Sequence, residues 1–141
     1  LKSATRVADG SGEKTGLYQR TFAHLKISNP DELISWLYCP ERKNQEISLM
    51  APLVLDCAES GDIEALRIIE DGAEELFQHY FNVVKSLNFT CPPVMFAGGL
   101  LSSDNLLRRL LMQKIGIEKV PISKYSPLEG AALMANISKN S

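Results

Sequence analysis

Apolar residues recur at helical spacing over most of this chain. Lys2 to Ala8 has the pattern of a helix end, stopped by Gly10 within the turn Asp9-Gly10-Ser11-Gly12. Tyr18, Phe22 and Leu25 then share one face, the rhythm of a helix that buries a single stripe. Ser28, Asn29, Pro30 and Asp31 form a helix start: a small polar cap, proline near the first position, then an acid in the first turn. Leu33, Ile34, Leu37 and Tyr38 follow at helical spacing until Cys39 and Pro40 end the run. The polar stretch Glu41 to Glu46 predicts a loop. Ile47, Met50, Ala51, Val54, Leu55 and Ala58 predict another helix, which Pro52 requires to begin within a turn of Ser48 or to kink. Gly61 closes it, and Asp62 is placed to cap the next. That next helix is the longest, with apolar positions from Ile63 through Ile69, Ala73, Phe77, Tyr80 and Phe81 to Leu87. Its aromatic stripe is expected in the core.

The character changes at Pro92-Pro93. Val94 to Ala97 is a short continuous apolar run ending in Gly98-Gly99, the pattern of a strand buried on both faces. Ser102 or Ser103 is the expected cap of a helix carrying Leu106, Leu107, Leu110, Leu111 and Ile115, stopped by Gly116. Lys119 to Ile122 predicts a second short strand, with Pro121 placing it at an edge or a strand end. Ser126-Pro127-Leu128-Glu129 is a capping box, and Gly130-Ala131-Ala132 lets the last helix pack tightly against a neighbour. The fold class is therefore α/β, helix-rich, with a short and incomplete sheet. Two strands make no stable sheet by themselves, so others would come from a further part of the protein or from another chain.

The composition agrees with one domain over residues 1–141. Hydrophobic residues make up 45% and charged residues 23%, so the chain can bury a core. Lys and Arg number 15 against 17 Asp and Glu, a net charge of −2. No basic surplus is present for a phosphate backbone, so nucleic acid is not an expected partner. No apolar run approaches the roughly 20 residues needed to cross a bilayer, so no membrane span is expected either. The three cysteines, Cys39, Cys57 and Cys91, are too few and too scattered for a disulfide framework or a zinc site. Reduced cysteines in a cytoplasmic protein are the expectation, and nothing local pairs one of them with His24 or His79 as a nucleophile. The first residue is Leu1 rather than Met, and the expectation is a part of a longer protein.

The strand–Gly-Gly–helix unit from Val94 to Leu111 is the principal candidate for chemistry. Two glycines at the end of a buried strand let a flat ligand approach the backbone, and ligands of open α/β sheets bind at such a crevice. On spacing alone the same turn serves plain tight packing equally well. It is neither a P-loop nor a dinucleotide fingerprint, since neither pattern occurs. The second candidate, Asp9 to Thr15, is a glycine-rich turn whose simplest reading is a surface connection. Asp71, Glu74 and Glu75 belong to a solvated helix face.

Taken in order, several runs resemble one family. They are Asp9-Gly10-Ser11-Gly12 with Thr15, Ala51-Pro52-Leu53-Val54, and Ala58 with Gly61-Asp62 and Ala65. Pro93, Met95 and Gly98-Gly99 follow the long helix, and Pro127, Gly130-Ala131-Ala132 and Ala135 close the set. Together they resemble the C-terminal half of the BadF/BadG/BcrA/BcrD ATPase family, in its N-acetylglucosamine kinase branch. The resemblance implies a ribonuclease-H-like lobe of the actin-like ATPase fold and use of ATP with Mg²⁺. It implies that Gly98 and Gly99 form a shelf for adenine and ribose. It also implies that Ser48 stands on the opposite wall, and that the Pro127–Ala135 helix packs behind the site.

The family's D-G-G-G-T-type phosphate hairpin does not occur in this chain, and the family frequently carries Arg where Ser11 stands. By resemblance the catalytic aspartate and the second phosphate loop are expected upstream of Leu1, and no catalytic residue is assigned here. The amino-sugar substrate would be met through an N-terminal lobe. The expected whole is a sugar kinase, and the chain alone is expected to phosphorylate no sugar. Two other readings stand beside it. One is an activator ATPase of a 2-hydroxyacyl-CoA dehydratase or benzoyl-CoA reductase, whose interface cysteines Cys39, Cys57 and Cys91 do not match. The other is a non-catalytic interaction module of the same fold. An orphaned sheet edge would favour a homodimer.

Overall fold

A computed structural model describes residues 15–41, 44–90 and 92–139. The expected helix end at Lys2 to Ala8, the Asp9–Gly12 turn and Cys91 lie outside the described residues. Eight helices follow one another among those described: α1 (Gly16–Leu25), α2 (Pro30–Leu37), α3 (Asn44–Ser48), α4 (Met50–Glu59), α5 (Ile63–Ser86), α6 (Gly99–Ser102), α7 (Leu106–Ile115) and α8 (Pro127–Lys139).

Local chemistry sets most of the helix ends. Asn29 caps α2 by accepting the Glu32 N–H at 2.9 Å, while the Glu32 carboxylate reaches back to the Ser28 N–H at 2.7 Å. Ser126 and Glu129 exchange the two hydrogen bonds of a capping box at the start of α8. Gly116 ends α7 at φ 80°, a left-handed conformation that a side chain resists. Gly116→Ala is therefore expected to lower stability by about 1 kcal/mol, read as a shifted urea midpoint at unchanged slope.

The long helix α5 is the spine. Its N-terminal half lies between α4 and α7, and the residues it buries there are Ala65, Ile69 and Ala73. These fall four residues apart on one stripe. The alanines let the neighbouring helices come close, and a Cβ built on Gly72 would stand 3.8 Å from Leu107 Cδ1. Leu17, Leu55, Cys57, Ala58 and Leu107 complete this core. Phe22 and Leu33 form a second, smaller cluster, flanked by Tyr18, Leu25 and Ile27.

Four expectations need correction. Residues 92–97 and 117–123 adopt no regular structure, so the sheet of the α/β reading does not form among the described residues. A strand exists only through a ladder that takes its N–H and C=O groups, and these two segments do not pair. The predicted loop at Glu41 to Glu46 instead gives way to α3 at Asn44. The aromatic half of α5 is not core: Phe81 is 47% exposed, and Phe77 and Tyr80 are half-buried. This half of the helix runs past the cover that α4 and α7 give to residues 65–73. Finally, α8 does not pack tightly behind the site, since Leu128, Leu133 and Met134 are exposed along it.

Candidate functional site

Pro52 explains how one wall of the candidate site arises. It is the third residue of α4, where a missing N–H breaks no bond inside that helix. A longer helix running from α3 through α4 would use that N–H to bind the Ser48 carbonyl, and the proline ring would clash there. The break between α3 and α4 accordingly falls at Leu49. α4 thus begins within a turn of Ser48, and Leu49 between the two helices keeps a right-handed helical backbone at φ −64° and ψ −14°.

The facing wall is the Gly98–Asn105 segment. Gly98 has φ 86° and ψ 161°, a backbone conformation closed to side-chain-bearing residues, and it turns the irregular 92–97 segment into the short α6. Gly99 has an ordinary φ, but a Cβ there would meet nothing within 4 Å. The two glycines thus do different things: the first makes the turn, and the second leaves room in front of it. Ser103 Oγ donates to the Gly99 carbonyl at 3.0 Å and stabilises the turn.

Between these walls lies a cleft of about 580 Å³. Ser48, Leu49, Pro52 and Leu55 line one side, and Gly99, Leu100, Ser103 and Asp104 line the other. The structure thereby brings the sequence-predicted Ser48 and Gly99 to one space, with Gly98 capping α6 just behind. Apolar surface dominates the walls, and Asp56 and Glu59 add carboxylates from α4. Arg109 crosses the gap, donating to Glu59 Oε1 at 2.8 Å with its other nitrogen 3.9 Å from Asp104 Oδ2. All three side chains are solvent-exposed, so this bridge contributes little stability.

A second, smaller recess of about 230 Å³ holds Arg20, Cys57 and Asp62. Burial pushes the Cys57 thiol up, against the opposing pull of the Arg20 guanidinium 3.9 Å away. A thiol held protonated is a poor nucleophile. His24 and His79 are exposed on helix surfaces, so neither activates it. Cys39 and Cys57 are free thiols among the described residues. Among the described residues no group of His, Cys, Asp and Glu could hold a metal ion, and no helix is long and apolar enough to cross a membrane.

The order of these parts along the chain is matched by known proteins. The model of the BadF/BadG/BcrA/BcrD ATPase family matches residues 1–135. The chain belongs to this family. An N-acetyl-D-glucosamine kinase of Dictyostelium discoideum is 30% identical over 148 aligned positions, covering 99% of this chain and 46% of the kinase. An N-acetylmuramic acid/N-acetylglucosamine kinase of Clostridium acetobutylicum is 28% identical, covering 96% of this chain and again 46% of the relative. The chain thus spans about half the length of the curated relatives it matches. No solved structure matches it. Members of this family are ATPases by description, and both relatives are sugar kinases by name.

Sequence reasoning missed two residues, Asn105 at the cleft and Arg108, which does not line it. Asn105, not Ser102 or Ser103, caps α7, accepting the Arg108 N–H at 3.0 Å. All four positions before α7, Ser102, Ser103, Asp104 and Asn105, hold cap-forming residues, and only the path of the turn selects among them. Arg108 itself is buried, although arginine in an amphipathic helix predicts a solvent face.

Proposed function

We propose that this chain is the adenosine-binding part of an ATP-dependent amino-sugar kinase, and that the cleft between Ser48 and Gly99 receives the nucleoside of ATP. The observation that carries this reading is the meeting of those two positions, from opposite parts of the chain, across a largely apolar cleft. Adenine would lie between the Leu49–Pro52 wall and Leu100, flat against the backbone of Gly99. Ribose hydroxyls would donate to the carboxylates of Asp56 or Glu59. Flat apolar walls with a few polar groups at the edge are what a nucleoside site requires. In the whole protein, Mg²⁺ and groups outside this cleft would serve transfer of the γ-phosphoryl group to a sugar hydroxyl. The amino-sugar substrate follows from the names of the two relatives, and the alternative activator-ATPase reading draws no support from Cys57, which is buried against Arg20.

The test is direct binding of ADP and ATP by titration calorimetry, with thermal unfolding measured in parallel. A saturable interaction is expected, stabilising the chain by about 2.7 kcal/mol at a hundred times Kd. Gly99→Val is expected to abolish it while leaving the unliganded Tm unchanged, because the new side chain enters open space rather than the core. The absence of nucleotide binding to the unmutated chain would overturn the reading.

A further inference from the structure

We propose that Arg108 is the positioning residue of the cleft, its buried guanidinium fixing the turn between α6 and α7 in the shape that admits a nucleotide. The inference rests on the nucleotide reading above. Arg108 is 8% exposed, one of few buried polar residues in the described chain. Its Nη1 donates to the Ser102 carbonyl at 3.1 Å, and its Nη2 donates to Asp104 Oδ1 at 3.0 Å. The first acceptor closes α6 and the second lies in the turn that follows it. That turn supplies Ser103, Asp104 and Asn105 to the cleft wall. Asn105 holds the same turn from its other end, donating through Nδ2 to the carbonyls of Leu100 and Ser103. Two side chains at the start of α7 thus fasten the wall from behind.

As a device for stability alone, this arginine is a poor choice. Taking a guanidinium out of water costs several kcal/mol, recovered only with complete and well-aligned partners. Here the Nε has no hydrogen-bond partner among the described residues, and the Asp104 carboxylate remains mostly in solvent. An apolar side chain of similar length would fill the space at no such cost. It could not, however, hold both acceptors from a single planar fork. The geometry therefore serves the shape of the wall rather than the strength of the fold.

Arg108→Met, which keeps length and burial, separates the two roles. Three quantities decide: amide exchange over residues 99–105, the ADP dissociation constant, and Tm. Removing the two bonds is expected to speed exchange in that segment and to weaken ADP binding, each about tenfold. Tm should stay the same or rise. Arg108→Lys, with one donor head, should restore part of both the protection and the affinity. Unchanged exchange over 99–105 in Arg108→Met would overturn the proposal, whether or not ADP binds. So would a fall in Tm with faster exchange throughout the chain, which marks an ordinary structural residue. Failure of the unmutated chain to bind ADP would overturn the nucleotide reading separately, with the exchange comparison still deciding whether Arg108 positions the turn.

Discussion

Asp62→Ala is expected to destabilise the chain by about 3 kcal/mol, since one carboxylate serves two helices at once. Its Oδ1 accepts the Ala65 N–H at 3.0 Å as the cap of α5. Its Oδ2 accepts the Leu17 N–H at 2.7 Å, in the first turn of α1. A helix cap contributes about 1 kcal/mol, and a hydrogen bond to a charged group about 2 kcal/mol. No cap residue of α1 itself fills this role: Thr15 stands at the cap position and makes no side-chain cap bond there. The loss should therefore reach both helices in hydrogen exchange, and Asp62→Asn, with one acceptor oxygen, should lose about half as much.

The same residue gives the chain a pH dependence of known sign. Burial pushes the Asp62 carboxyl up, but hydrogen bonds from Ala65, Leu17, Thr15 and Glu64 outweigh it and leave it below its ordinary value. A group whose folded value is depressed contributes stability that is fully present above its unfolded value, near pH 4, and lost as pH falls through the folded one. Urea denaturation of the unmutated chain and of Asp62→Ala should differ most near neutral pH. The difference should shrink in strong acid. A gap that stays constant down to pH 2 would remove the carboxylate charge from the explanation.

What could be read in advance follows the range of the interaction. The Asn29 cap, the Asp62 cap, the Ser126–Glu129 box and the Gly116 stop all act within three or four residues, so the sequence carries them whole. The second bond of Asp62, to Leu17, joins residues far apart in the chain and leaves no local trace. Periodicity marked the apolar stripe of α5 but not which half would be covered; that depended on α4 and α7 stopping near Ala73. Val94 to Ala97 has a strand's composition, yet a strand requires a partner that no single segment encodes. At the cleft, Gly98-Gly99 stood out as a turn, while Ser48 entered only through family resemblance. Arg108 was hidden because burial of an arginine is decided by the turn folded over it.

Leu33→Ala is the second large effect expected, about 3 kcal/mol, and it should leave the cleft untouched. Leu33 is 0% exposed, buried in the smaller cluster with Phe22, Tyr18, Leu25 and Ile27. Truncation there removes three side-chain carbons and leaves a cavity that α2, held by few neighbours, closes only in part. None of those residues lines the cleft, whose walls come from α3, α4, α6 and the turn between α6 and α7. The substitution should accordingly lower the urea midpoint and the exchange protection of α2, with ADP affinity held within about twofold of the unmutated chain. The route by which it could do otherwise is α1, which places Phe22 in the small cluster and Leu17 in the main core. A parallel fall in stability and ADP affinity would show that α1 transmits strain from one cluster to the other. Affinity held constant while stability drops would show instead that the cleft depends on the α4–α5–α7 core alone.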